Sequence, residues 1–190
     1  KVILAKKPEA TGAIEQVMDK NLGEISRHLG GSGIAHREDD RAYFAQDYPI
    51  LPVRRRFWET ALRVLDQTGT ESQLRNQLSM IHKAIQTNLD ADLGNVVAAD
   101  YIYFDGAEKL LQSRLLPKNV YESIQIWSRG SDDEKLLGRA CALVFLINKL
   151  VSGQPDIGIA PTVDTLADLL VEDLPSGSAG LRKKLPGLLN

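Results

Sequence analysis

Residues 48–88 read YPILPVRRRFWETALRVLDQTGTESQLRNQLSMIHKAIQTN, and the predicted fold is organised around this stretch. Its pattern predicts two helices joined by a turn at Gly69. In the first helix, apolar residues recur at helical spacing from Phe57 to Leu65. Thr70 with Gln73 three residues later is typical of a capping box that begins the second helix. The apolar stripe of that second helix consists of Leu74, Leu78, Ile81, Ile85 and Leu89.

Four arginines lie beside this predicted helical pair. Arg54, Arg55 and Arg56 stand at the start of the first helix, and Arg75 lies at the edge of the stripe in the second. A guanidinium stays charged, and its planar fork binds carboxylates or phosphates through paired hydrogen bonds. Arg54, Arg55 and Arg56 are therefore candidates for a phosphate or subunit-interface contact. For Arg75, spacing alone favours a solvated ion pair with Glu71 one turn back over a contact with a nucleotide phosphate.

Composition limits the classes of function that the chain can have. It has 190 residues, of which 43% are hydrophobic and 25% charged, and its net charge of −2 means that any DNA contact must be local. Its single cysteine, Cys141, excludes an internal disulfide and a cysteine-based zinc site, and it favours a reducing, cytoplasmic compartment. No apolar run reaches the roughly 18 residues that a membrane span needs.

Catalytic and metal-binding patterns are missing from the sequence. The three histidines have no metal-ligand spacing. The sequence contains neither a Walker A motif nor the common hydrolase and zinc-protease motifs. We therefore predict no catalytic residue and no metal ligand, and a self-contained enzyme is not expected.

The remaining sequence predicts a mainly α protein in three parts. Residues 1–47 form a long helix, which runs from Pro8 to a glycine pair at Gly30, and a linker. Residues 48–130 form a helical bundle. Residues 131–190 contain a long apolar helix and two shorter ones, for which Ser131, Thr162 and Ser178 mark the starts.

The order of these last helices is typical of a helix-turn-helix or winged-helix unit, here without the β-hairpin wing. The final helix would then be the recognition helix. Arg182, Lys183 and Lys184 give it local positive charge, which makes them candidates for DNA contacts.

Two kinds of sequence similarity sharpen these expectations. TGTESQLRNQLSMIHKAI, residues 68–85, resembles the lid helix of AAA+ ATPases of the origin-recognition type. Three longer stretches, residues 48–78, 94–105 and 162–189, resemble the BrxC family, the large P-loop ATPase of bacteriophage-exclusion (BREX) defence systems. The similarity extends over most of the chain and is most specific in YPILPVRRRFW, residues 48–58.

The resemblance implies that this chain follows the nucleotide-binding core of a phage-defence ATPase. Residues 48–130 would be a helical lid of the AAA+ type, and Arg75 would be its sensor-2 arginine. The full-length protein would bind ATP and Mg²⁺, form homo-oligomers, and act with other BREX components and with DNA. Because Walker A and Walker B are missing here, the chain by itself is not expected to bind ATP or to hydrolyse it.

Two other functions fit the same sequence. One is a DNA-binding regulator or replication-type factor of the helix-turn-helix class, although Glu172 and Asp173 oppose the basic charge of the last helix. The other is a non-catalytic helical module that docks partners. Since the chain begins at Lys1 and ends in an apparently unfinished helix, we expect it to be part of a longer protein.

Overall fold

The computed structural model describes residues 6–65, 71–153 and 157–190, and it describes the side chains of residues 6–63, 77–149 and 157–190. Within these ranges the chain forms ten α-helices and one 3-10 helix, and it has no β-strand beyond a single isolated bridge between Asn95 and Asp173. The prediction of a mainly α protein is confirmed.

The helices range in length from 4 to 22 residues. Their bounds are α1 Pro8–Lys20, α2 Leu22–Ser26, the 3-10 helix Glu38–Tyr43, α3 Phe44–Asp47, α4 Pro52–Leu65, α5 Glu71–Gln86, α6 Tyr101–Gln112, α7 Lys118–Trp127, α8 Asp132–Gly153, α9 Val163–Leu170 and α10 Ala179–Leu189. One continuous cluster of buried apolar side chains includes residues from all three predicted parts, so these parts share a core.

A buried connection between α5 and α6, residues 95–99, crosses the interior; we call it the central segment. Because it is not helical, its backbone groups need partners elsewhere in the chain. The Val96 N–H donates to the Glu172 carbonyl at 2.8 Å, and the Val97 N–H donates to the Pro49 carbonyl at 3.0 Å. The central segment thereby joins the start of α4 to the residues that follow α9.

The first helix is shorter than its apolar periodicity predicts. α1 ends at Lys20, and α2 continues the same apolar pattern only as far as Ser26. Asn21 causes the break: its side-chain amide donates to the Val17 carbonyl at 2.8 Å, and its backbone leaves the helical conformation. A side chain that competes for main-chain acceptors in this way interrupts a helix whose apolar pattern continues.

Two of the predicted helix caps, at Ser131 and Thr162, are confirmed. The Ser131 N–H donates to the Glu134 carboxylate at 2.7 Å, and the Glu134 N–H donates back to the Ser131 hydroxyl at 3.4 Å, which completes the predicted capping box of α8. The Thr162 hydroxyl accepts from the Thr165 N–H at 3.2 Å and caps α9.

The start of α6 differs from what the sequence predicts. Asp105 with Glu108 three residues later predicts a capped helix that runs through Arg114, but α6 begins four residues before Asp105, at Tyr101, and ends at Gln112. Tyr103 in its first turn is fully buried, while the neighbouring Phe104 is exposed, so the aromatic run divides between core and surface.

Candidate functional site

Arg54 is the most deeply buried of the predicted site residues. α4 begins at Pro52, so Arg54 lies in its first turn, and its side chain is fully buried. Its guanidinium donates to the Val97 carbonyl of the central segment at 2.6 Å, to the Asp168 carbonyl at 3.2 Å, and to the Val171 carbonyl.

These acceptors explain why an arginine is inside the core. Asp168 and Val171 lie at the C-terminal end of α9, where carbonyls lack helical donors and carry the negative end of the helix dipole. Burial lowers the pKa of the Arg54 guanidinium to about 10, so it remains charged at neutral pH. A guanidinium that is enclosed and bonded to three carbonyls has no surface for a phosphate, which argues against the predicted ligand or subunit contact for Arg54.

Arg56 on α4 binds the chain segment from Ile34 to Asp40, which leads into the 3-10 helix. Its two terminal nitrogens donate to the Asp40 carboxylate at 2.7 and 2.8 Å, and one of them also donates to the carbonyls of Ile34 and Ala35. Burial would raise the pKa of Asp40, but the hydrogen bonds and charge of Arg56 outweigh it and keep that pKa below its ordinary value. The Arg56 guanidinium is thus engaged within the chain.

Arg55 is the member of the arginine triplet that stays accessible. Its side chain is 37% exposed, lies 3.0 Å from the Asp47 carboxylate, and stands over the ring of Tyr43 at 5.8 Å from the ring centre. The phosphate or subunit-interface role of Arg55 stays a prediction.

Arg75 lies in α5, but its side chain is outside the described residues, as are the predicted turn at Gly69 and its capping box. Farther along α5, the predicted apolar stripe is only partly buried. Ile85 faces the core, whereas Leu78 is 49% and Leu89 is 62% exposed. The sensor role of Arg75 therefore stays a prediction.

Arg182 on α10 is held by carboxylates from other helices. Its Nε donates to Asp164 at 2.9 Å, and its terminal nitrogens bond to Asp168 and to the Ser178 hydroxyl. The imidazole of His28 lies 3.0 Å from the same guanidinium. This cluster joins α10 to α9 and to the end of α2.

Asp168 is the centre of that cluster. Its carboxylate is fully buried and accepts the His28 backbone N–H at 2.8 Å as well as the Arg182 guanidinium. Burial raises the pKa of Asp168, although these donors act against the shift. Its main-chain carbonyl meanwhile binds Arg54, so one residue satisfies two arginines.

The other two basic residues of α10 differ from each other. Lys184 lies 2.9 Å from the Asp133 carboxylate at the start of α8. Lys183 is exposed and has no ion-pair partner among the residues whose side chains are described. The predicted DNA-contact triplet therefore contains Arg182 bound to a buried carboxylate, Lys184 in an exposed ion pair, and Lys183 without an ion-pair partner among the described side chains. Its role in DNA binding stays a prediction.

An open cleft of about 350 Å³ lies where α5, α6 and α8 meet the central segment. It is lined by Thr87, Asn88, Val97, Ala98, Asp100, Tyr101, Phe104, Ser128, Lys135, Arg139 and Glu172. Arg139 donates to Asp100 at 2.8 and 3.1 Å and to Glu172 at 2.7 Å. Burial would lower the pKa of Arg139, but these two carboxylates outweigh it and raise that pKa. The main charges of the cleft therefore neutralise one another.

Sequence reasoning missed Arg139, although a signal was present. It is the only charge in LLGRACALVFLI, residues 136–147, and a lone charge within an apolar helix indicates a buried ion pair. Its partners could not be named, since Asp100 and Glu172 lie 39 and 33 residues away. His28 and Asp168, which are 140 residues apart, gave no signal at all.

No protein-family model, no curated protein and no solved structure matches this chain. In the described parts of the chain, no group of histidine, cysteine and acidic side chains could hold a metal ion. The helices in those parts include none with the length and apolar character needed to cross a bilayer.

Proposed function

We propose that this chain is the helical region that follows the nucleotide-binding core in a BREX-type P-loop ATPase of the BrxC family. It would act as an AAA+ lid and a winged-helix-like unit, and would contribute Arg75 as the sensor arginine. ATP and Mg²⁺ would bind to the preceding core of the full-length, oligomeric, cytoplasmic protein. Other BREX components and DNA would be its partners.

One observation carries this proposal: Arg75 is the fifth residue of α5, the helix that follows α4 in the order expected for a lid. An arginine near the start of a lid helix can approach the γ-phosphate of a nucleotide held by the core, and its charge stabilises the transition state there. Two helices that flank residues 66–70 are the arrangement that the similarity to the AAA+ lid requires.

The role of YPILPVRRRFW in the bundle supports the same proposal. This stretch provides the Pro49 carbonyl and the Arg54 guanidinium that hold the central segment, as well as the Arg56 anchor. The most family-specific residues are thus the ones that organise the bundle. Sequence similarity concentrated there is what a common helical framework would require.

For the last part of the chain, the support is the order and packing of three helices. α8 is long, α9 is short, and α10 follows and is attached to α9 through Arg182. That arrangement suits the helical portion of a winged-helix unit. In the proposed protein this portion docks DNA or another component.

The test is ATP turnover by the full-length protein with Arg75→Ala. The expected result is a loss of turnover of about 10- to 100-fold with unchanged folding by circular dichroism. Arg63→Ala, at an exposed position of α4, is the matched control and should keep full turnover. If Arg75→Ala turns ATP over at the wild-type rate, the sensor role is refuted.

A second candidate is a non-catalytic helical module that docks a partner protein. Two exposed leucines, Leu78 on α5 and Leu89 in the turn that follows it, favour this function because exposed apolar side chains can form a docking surface. The same experiment separates the two functions. A docking module does not require Arg75 for ATP turnover, whereas a lid does.

A further inference from the structure

The corner between α6 and α7 carries three exposed cations within ten residues. Residues 109–118 read KLLQSRLLPK, with Lys109, Arg114 and Lys118 and no carboxylate in ten residues. We call these three residues the basic corner. Lys109 lies in the last turn of α6, Arg114 in the connection, and Lys118 at the start of α7.

The charges of the basic corner are accessible. All three residues are exposed, and Lys109 and Arg114 have no ion-pair partner among the side chains that the structure describes. Lys118 lies 3.5 Å from Glu122, but these side chains are 77% and 56% exposed, and such surface pairs contribute little. The contrast is with Arg54, Arg139 and Arg182, whose guanidinium groups are already bound within the protein.

Arg114 occupies a backbone conformation that ordinary residues avoid. Its φ angle is 61°, in the left-handed region, where glycine or asparagine is the usual residue. The conformation is fixed because the N–H groups of Leu115 and Leu116 both donate to the Leu110 carbonyl at 3.0 Å. An arginine in this region costs about 1 kcal/mol relative to glycine. Together with the Arg114 N–H, which donates to the Leu111 carbonyl at 3.0 Å, the bonds to the Leu110 carbonyl form the Schellman motif that ends α6 and fixes the backbone of the corner.

The corner is also held in place by the core. Leu110 and Leu116, on either side of Arg114, are buried, and α7 packs against α8 with Ile124 fully enclosed. The three cations therefore project from a fixed support, and their backbone positions need no reorganisation when a ligand binds. Fixed, exposed cations suit a ligand that carries several negative charges.

We propose that the basic corner binds the phosphate backbone of duplex DNA. Lysine and arginine contacts to phosphates supply sequence-independent affinity and fix a protein on the duplex. The choice of DNA as the ligand rests on the proposed function, whereas the position of the site comes from the exposed cations of the basic corner. It moves the contact from α10, whose Arg182 binds the buried Asp168 carboxylate, to the α6–α7 connection.

The experiment is fluorescence anisotropy of a labelled duplex of about 20 base pairs, titrated with the 190-residue chain at several salt concentrations. Three phosphate contacts predict a slope of log affinity against log salt of about −2.7. The variant with Lys109→Gln, Arg114→Gln and Lys118→Gln should lose at least about tenfold in affinity at low salt, together with most of this slope.

The matched control removes the same charge elsewhere, through Lys7→Gln, Lys20→Gln and Arg63→Gln, at exposed positions of the chain. The affinity of this control for DNA should stay within about threefold of the wild-type affinity, since the control changes only the net charge of the protein. Equal weakening by both triple variants would mean that net charge, not this corner, governs binding, and would overturn the proposal.

Arg114→Gly separates binding from folding. Glycine accepts the left-handed backbone, so this variant should unfold at a higher urea concentration than the wild type and yet bind DNA more weakly. A more stable protein with unchanged affinity would overturn the role of Arg114. If the wild-type chain shows no binding even at the lowest salt, the DNA contact itself is refuted, while the ATP-turnover test of Arg75 is unaffected.

Discussion

Replacing Arg54 by methionine tests whether a buried guanidinium holds this bundle together. The change removes the donors for three carbonyls, those of Val97, Asp168 and Val171, in the fully buried interior. Each carbonyl left without a donor costs about 1–3 kcal/mol. Methionine restores apolar packing and removes the cost of burying a charge. The net loss of unfolding free energy should therefore be about 3–5 kcal/mol.

Urea unfolding followed by circular dichroism measures this loss. With a denaturant dependence of about 2 kcal/mol per molar urea, the midpoint should fall by about 2 M. Arg54→Lys keeps the charge but lacks the planar fork that reaches separate carbonyls, so its midpoint should lie between those of the wild type and of Arg54→Met. This order of the three midpoints is the expected signature of carbonyl binding.

Arg63→Met provides the control, because Arg63 lies on the same helix but is exposed and has no ion-pair partner among the described side chains. Its loss of unfolding free energy should stay below about 1 kcal/mol. The reasoning is refuted if Arg54→Met unfolds within about 1 kcal/mol of the wild type. It is also refuted if Arg63→Met loses as much as Arg54→Met does.

Two further predictions concern other polar contacts. Arg139→Gln should lower the unfolding free energy by about 3 kcal/mol in urea titrations, because it leaves the buried Asp100 carboxylate unpaired. The double variant that also carries Asp100→Asn should recover part of this loss. No recovery in the double variant would contradict the pairing. Hydrogen bonds from Ser178 lower the pKa of Glu24, so its stabilisation is complete above the ordinary glutamate pKa of about 4.3 and is lost as the pH falls through the lower folded value. Glu24→Gln should flatten the pH dependence of the thermal midpoint in that acidic range, and an unchanged profile would exclude Glu24 as its source.

The features that the sequence predicted well depend on neighbours in the chain. The Ser131–Glu134 box and the Thr162 cap involve residues three positions apart, so they can be recognised without knowing the fold. The error at α1 was also local, but it came from a competing rule: Asn21 bonds to Val17 and ends the helix although the apolar pattern continues. Periodicity shows which residues face a core, and it does not show where the backbone stops being helical.

The partners of the arginines could not be predicted, because they depend on contacts between distant parts of the chain. Arg54 finds its acceptors 43, 114 and 117 residues away, and they are backbone carbonyls, which every sequence contains. In the amino-acid sequence, an arginine triplet therefore looks the same whether its side chains bind a ligand, bind a carboxylate or lie in the core. Here the three neighbours have three different surroundings, with Arg54 enclosed, Arg56 bound to Asp40 and Arg55 accessible.

The partners that the fold supplies also determine which positive side chains remain able to bind DNA. In the sequence, Arg182, Lys183 and Lys184 are the denser basic run, and the carboxylates that bind Arg182 are supplied by α9. The residues of the basic corner are spread over ten positions, yet no acid approaches two of them among the described side chains. A cation that the fold binds to a buried carboxylate, as it binds Arg182 to Asp168, is not available to a phosphate. Availability after folding, not density along the chain, therefore makes the α6–α7 connection the better place to look for a nucleic-acid contact.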